Sequence, residues 1–198
     1  NKETNIMAIS IMNSSTSGNP PHGLNKVNAN TFTYWQYVDT LVYWGGSSGE
    51  GLIVPPSPDV VDAAHKNGVR VLGTVFMPQT AHGGKMEWLE DLLVKNEDGS
   101  YPVADKLIEV AQTYGFEGWF MNQETEGTDE EPLTADHAAR MQQFIQYFKE
   151  QAPDLDLVYY DSMTVDGKMD WQNALTEENL ACLLYTSPSP RATERSRM

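Results

Sequence analysis

Gly118-Trp119-Phe120-Met121-Asn122-Gln123-Glu124 is an apolar, aromatic run that leads straight into an amide and a carboxylate two residues apart. It reads as a strand with a polar mouth. Side chains alternate faces along a strand, so Asn122 and Glu124 project to one side and Gln123 to the other. A group that hydrogen-bonds an amide and a group that moves a proton therefore share one strand end. Taken alone, a strand that simply meets solvent is the better account of the pattern, because short motifs match by chance.

Working outward, the same strand-then-helix rhythm repeats on both sides. Upstream, Thr40-Leu41-Val42-Tyr43-Trp44 is a short apolar strand ending at Gly45-Gly46. Ser57 and Pro58 then open a helix that Asn67-Gly68 closes. A second strand covers residues 69–76 and stops before Pro78, and residues 86–95 suit a helix. Val103, Leu107, Val110, Ala111 and Tyr114 make one apolar helical face capped by Gly115. Downstream of the third strand, residues 126–132 form an acidic loop that reads as solvated. A helix follows over residues 134–151, and residues 156–161 form a fourth strand.

Strands alternating with helices imply a parallel sheet covered by helices, either a (β/α)₈ barrel or a doubly wound open sheet. Polar and aromatic clusters follow the strands: Trp44-Gly45-Gly46, Phe76-Met77-Pro78, Asn122-Gln123-Glu124 and Tyr160-Asp161-Ser162. Both folds carry their sites on that edge. No glycine-rich phosphate loop follows any strand, which weighs against a nucleotide-binding open sheet. Four strands make about half of a barrel of ~250 residues. The expected fold class is therefore α/β, a (β/α)₈ TIM barrel with only about its first half present.

The 198 residues suffice for one domain, and the net charge of −15 disfavours nucleic acid and anionic membrane surfaces while leaving a neutral sugar unobstructed. No apolar run reaches transmembrane length. Cys182 is the single cysteine, so no disulfide framework exists to indicate a compartment. Localisation stays open among extracellular, cell-surface and cytoplasmic, and so does the oligomeric state. The domain reading is an irregular segment over residues 1–33, rich in Asn, Ser and Pro, and a partial barrel over 34–182. A tail over 183–198 resembles translated sequencing-adapter text and, with three Arg against one Glu, runs opposite in charge to the rest. A half barrel leaves sheet edges unpaired, so the chain by itself is expected to be unstable or oligomeric, and inactive.

Glu124 is the proton-transfer candidate. A two-carboxylate glycosidase places a second Asp or Glu across the sugar. The neighbour here is Asn122, an amide that cannot attack carbon, and the pairing makes sense when the substrate's own 2-acetamido group is the nucleophile. Tyr160, at another strand mouth, offers a hydroxyl, and Trp171 an indole that stacks on a pyranose face; core packing is the competing explanation for each. His22, His65, His82 and His137 show no ligand spacing, so neither a metal nor a cofactor is expected.

With these residues in place, the run from about residue 30 to 180 resembles the catalytic barrel of glycoside hydrolase family 85, the endo-β-N-acetylglucosaminidases. The match is carried by Tyr43-Trp44-Gly45-Gly46, Leu52-Ile53-Val54-Pro55-Pro56, Val71-Leu72-Gly73-Thr74-Val75-Phe76, the stretch from Gly115 through Glu124, Tyr160-Asp161-Ser162-Met163 and Trp171-Gln172-Asn173. Their order and spacing are far more specific than Asn-x-Glu alone. The resemblance implies hydrolysis of the β-1,4 bond of the N,N'-diacetylchitobiose core of N-linked glycans or glycoproteins, with retention, an oxazolinium intermediate and transfer to other acceptors. It implies Glu124 as general acid/base, Asn122 as the residue orienting the acetamido group, Tyr160 as its assistant, and Trp171 and Trp44 as substrate-binding aromatics. Two alternatives remain: a chitinase-like acetamido-sugar hydrolase, which usually ends this strand Asp-x-Glu, and a non-catalytic carbohydrate-binding barrel, against which the presence of Glu124 argues.

Overall fold

The computed structural model describes residues 4–11, 32–46, 50–160 and 162–170. Its elements run β1 (Met7–Ile11), β2 (Thr40–Trp44), β3 (Ile53–Val54), α1 (Pro58–Lys66), β4 (Arg70–Met77), α2 (Met86–Leu92), α3 (Pro102–Tyr114), β5 (Gly118–Gln123), α4 (Ala135–Gln151) and β6 (Asp156–Tyr160). The sheet order is β1-β2-β4-β5-β6, with β3 pairing antiparallel to β4. β1, β2 and β4 are parallel in the register Met7↔Thr40 and Thr40↔Arg70. Glu117 N–H donates to the Val71 carbonyl and, further along, Glu124 N–H to the Met77 carbonyl, so β5 runs the same way as β4. Asp156 N–H on the Glu117 carbonyl, and the Ser162 hydroxyl on the Gln123 carbonyl, carry that direction to β6.

The strand and helix rhythm expected for residues 40–160 is present, with two differences. Residues 7–11 form a strand where the amino-acid pattern suggests irregular structure. Their apolar stretch is short and lies amid Asn- and Ser-rich text, and what makes it a strand is the partner. Besides its pairing with β2, Ile6 N–H donates to Asp39 Oδ2 over 2.7 Å, and the Ile6 carbonyl accepts Asp39 N–H over 2.8 Å. Among the described residues the parallel set is thus five strands rather than four. β3 is the second difference; at two residues it leaves no period to read.

The chain divides into two compact units. Among the described residues, the first takes those within Asn1–Phe76, Lys106–Phe120 and Asp154–Asp156. Its core joins Leu41 and Tyr43 of β2, Val71 of β4, and Val60 and Ala64 of α1, with Ala8, Phe32 and Trp35 packed against them. Trp119 is wholly buried; its indole N–H donates to the Leu107 carbonyl over 2.9 Å, and its ring lies so close to Gly73 that a Cβ there would stand 2.7 Å from Trp119 Cζ3. The strand starts are latched by charge. Arg70 Nε and Nη2 both reach Asp156 Oδ2 at 2.9 Å. Glu117 Oε2 accepts Val71 N–H at 2.7 Å while its Oε1 meets His65 Nε2 at 2.8 Å.

Gly118, at φ +139, lets β5 pass Asp156: a Cβ at residue 118 would sit 1.9 Å from the Asp156 carbonyl oxygen. Overpacking against backbone, added to a backbone conformation that L-residues avoid, costs about 2–4 kcal/mol together. Gly118→Ala in the full protein is therefore expected to lower the denaturant midpoint by a corresponding amount; an unchanged midpoint would show that β5 and β6 move apart freely.

The second unit takes the described residues within Met77–Asp105, Met121–Pro153 and Leu157–Met198. Met141, Phe144, Ile145 and Phe148 line the buried face of α4, the i, i+3, i+4, i+7 pattern of an amphipathic helix. Tyr101 packs edge-on to Phe144 with ring centres 5.6 Å apart. At the start of α4, His137 Nδ1 accepts Thr134 N–H over 3.0 Å, which leaves the proton on Nε2 to donate to Glu90 Oε1 at 2.7 Å. Arg140 Nη2 donates to the other Glu90 oxygen at 2.7 Å. His137 is a satisfied structural histidine. Among the described residues no group of three potential ligands is placed to hold a metal, and no helix is long and apolar enough to cross a membrane.

Candidate active site

β5 is buried at every position, as a strand covered on both faces must be, and its last residues are polar. Asn122 and Glu124 emerge on one side of it. Asn122 is 3% exposed, and its Nδ2 donates to Glu124 Oε1 over 3.2 Å. Its Oδ1 is buried and has no hydrogen-bond partner among the described residues. An orphaned buried acceptor costs about 1–3 kcal/mol, a deficit that a ligand N–H removes. Glu124 is half-buried, one residue beyond the end of the strand.

Tyr160 closes β6 in the same unit, half-buried. Burial, and then the negative charge of Glu124, hold its phenol proton above the ordinary range, so the side chain stays a neutral donor beside the carboxylate. Glu124 and Tyr160 both line a cavity of about 690 Å³, the size of a small-ligand site. Its wall is completed by the loop after β5, including Glu126, Thr128 and Asp129, and by Ser162 and Lys168 after β6. Asn122 does not line the cavity; it touches Glu124 from within the protein.

The acidic loop read as merely solvated is exposed, yet it is also built. Gly127 and Pro132 form an antiparallel bridge, Thr80 N–H donates to Glu126 Oε2 at 3.0 Å, and Thr80 Oγ1 and Gly127 N–H meet at 3.1 Å. Of the two aromatics, Trp44 belongs to the first unit, at the end of β2, with ring centres 5.1 Å from Phe76 and 6.0 Å from Phe120. Trp171 lies outside the described residues, as do Asp161, His22, Cys182 and the 183–198 tail. Gln123, Thr125 and Ser162 are not singled out by the sequence pattern as site residues, although all three are buried polar groups at the strand mouths. A glutamine at a strand position read as facing the covering helices is the available signal.

This geometry pairs a carboxyl with an amide beside a cavity of small-ligand size. The sequence profile of glycosyl hydrolase family 85 matches residues 12–185. The chain belongs to glycosyl hydrolase family 85. Relatives of the chain include the cytosolic endo-beta-N-acetylglucosaminidase of Mus musculus, 33% identical over 161 residues, which are 79% of this chain and 20% of that protein. The cytosolic endo-beta-N-acetylglucosaminidase 2 of Arabidopsis thaliana is 35% identical over 150 residues, 74% of this chain and 19% of that protein. The chain thus spans about a fifth of the length of the curated relatives it matches. The crystal structure of the glycoside hydrolase domain of Endo-D from Streptococcus pneumoniae R6 superposes with a TM-score of 0.69 at 35% identity, covering 84% of this chain and 25% of that one. The α/β fold, with its parallel sheet, is that of the family 85 TIM-barrel domain, of which this chain carries a part.

Proposed function

We propose that the protein carrying this chain is an endo-β-N-acetylglucosaminidase that cleaves the β-1,4 bond between the two core N-acetylglucosamines of N-linked glycans, using the substrate's acetamido oxygen as nucleophile. The observation that carries this reading is the partner of Glu124: an amide whose oxygen has no partner among the described residues, where a two-carboxylate enzyme keeps a second acid. The names of the relatives support the same substrate class. As the glycan binds, its acetamido group reaches past Glu124 to the buried Asn122, whose Oδ1 accepts the acetamido N–H and so turns the acetamido oxygen toward the anomeric carbon. The Glu124 carboxyl gives its proton to the departing glycosidic oxygen as the oxazolinium ring closes. The carboxylate then takes a proton from water, which attacks the anomeric carbon from the face the glycosidic oxygen left and opens the ring, and two inversions give net retention. Tyr160, kept neutral, donates to the acetamido oxygen and steadies the developing ring. An acceptor hydroxyl in place of water gives transfer instead of hydrolysis.

The test is the full-length protein incubated with an N-glycosylated peptide. The expected products are a glycan ending in one reducing N-acetylglucosamine, first seen by NMR as the β-anomer, and a peptide retaining the other. Replacing the acetamide of the cleaved sugar by a trifluoroacetamide, a weaker nucleophile, should slow the reaction. First release of the α-anomer, or equal rates on the two amides, would rule this mechanism out.

A further inference from the structure

Residues 123–125 are held by more hydrogen bonds than a strand end requires. The Gln123 side chain is wholly buried and closes a ring on the backbone two residues ahead: Nε2 donates to the Thr125 carbonyl over 2.9 Å, and Oε1 accepts Thr125 N–H over 2.7 Å. Neighbouring segments grip the same three residues. Glu124 N–H donates to the Met77 carbonyl at 2.8 Å, Thr125 Oγ1 to the Pro78 carbonyl at 2.7 Å, and Ser162 Oγ to the Gln123 carbonyl at 2.7 Å. Strand β5 ends at Gln123, so these bonds replace the ladder for the two residues that follow. A buried amide is costly unless both its donor and its acceptor are matched. An apolar side chain of similar volume fills the same space, so the glutamine is needed for what its amide does to Thr125.

We propose that Gln123 is a positioning residue for Glu124. From the opposite face of β5 it fixes the Thr125 backbone, and thereby the direction in which Glu124 leaves the strand and the 3.2 Å contact of Glu124 with Asn122. The role rests on the assignment of Glu124 as acid/base under the proposed function. Gln123 does not line the cavity, so its loss acts on the chemical step and not on glycan binding.

Two variants of the full-length protein test this. Gln123→Met keeps the volume and removes both bonds; a misplaced catalytic group costs about 10-fold to 100-fold in kcat, while KM should stay within about twofold. Gln123→Glu behaves differently according to its proton. As a carboxylic acid its O–H donates to the Thr125 carbonyl and its other oxygen accepts Thr125 N–H, reproducing the amide; as a carboxylate it has only acceptors and repels that carbonyl. Burial raises a carboxyl pKa, to as much as ~8–9, so relative to the parent at the same pH this variant should keep nearly parental kcat at about pH 5 and lose it by about pH 8. A packing role alone would leave kcat parental in Gln123→Met, which keeps the volume. Parental kcat in Gln123→Met, or a pH profile for Gln123→Glu parallel to the parent's, would overturn the proposal. If the parent does not cleave the glycan, the functional reading fails. The crystal structure of Gln123→Met then decides the positioning role: an Asn122–Glu124 contact still at hydrogen-bond length rejects it, and a broken one supports it. Should Gln123→Met not fold, crystals of Gln123→Glu at the two pH values decide it by the same contact: intact at both values rejects the role, and broken only at the higher supports it.

Discussion

Glu124→Gln in the full-length protein is expected to lower glycan cleavage by about 10²–10⁴-fold, the usual contribution of a positioned general acid. The substitution keeps the side-chain volume, and glutamine still has an oxygen to accept from Asn122 Nδ2, so the contact seen at 3.2 Å is not what is lost. What is lost is the proton. The departing sugar oxygen must leave as an alkoxide, and Tyr160, which lines the same cavity, is a poor replacement acid because burial holds its proton tightly. KM should change little, because uncharged glutamine binds a neutral sugar as well as the acid does. Steady-state kinetics on a glycopeptide checks this; a loss of less than about tenfold would move the acid to another residue.

Asn122→Ala is expected to fall by about 10²-fold on the same substrate for a different reason, since misorienting a reacting group costs about that much. On the proposed mechanism the acetamido group loses the acceptor that turns its oxygen toward the anomeric carbon, and Glu124 loses its Nδ2 donor as well. A preformed sugar oxazoline separates the two variants, because that donor already contains the closed ring. With it, Asn122→Ala should recover transfer to an acceptor sugar while staying poor at cleaving the natural bond. Glu124→Gln should recover less, since the incoming hydroxyl still needs a base. Unimpaired cleavage by Asn122→Ala, or a covalent glycosyl adduct trapped on Glu124, would defeat the substrate-assisted mechanism.

Both variants act on residues that a linear reading singles out, and the reason is local. Strand alternation has a period of two, so the shared side of Asn122 and Glu124 follows from their spacing once β5 is recognised as a strand. The same holds for α1, whose Pro58 start and Asn67-Gly68 end are written in adjacent residues, and for the apolar face of α4. Alternating strands and helices then leave little choice beyond a parallel sheet with its candidate chemistry at the strand mouths.

Tertiary structure decided the rest, where the deciding partners are far apart in the chain. Residues 7–11 are a strand because β2, more than thirty positions on, supplies the ladder; Met7 pairs with Thr40. Glu124 is held by Met77, and its neighbours by Pro78 and Ser162, at separations of 47 residues for Thr125–Pro78 and 39 for Ser162–Gln123. The orphaned Asn122 oxygen, the Glu124 charge acting on Tyr160 and the cavity wall built from the loops after β5 and β6 have no counterpart in local spacing. Periodicity assigns a side chain to a face, but burial and hydrogen-bond satisfaction depend on what the fold brings to that face, and only the packed chain contains that information.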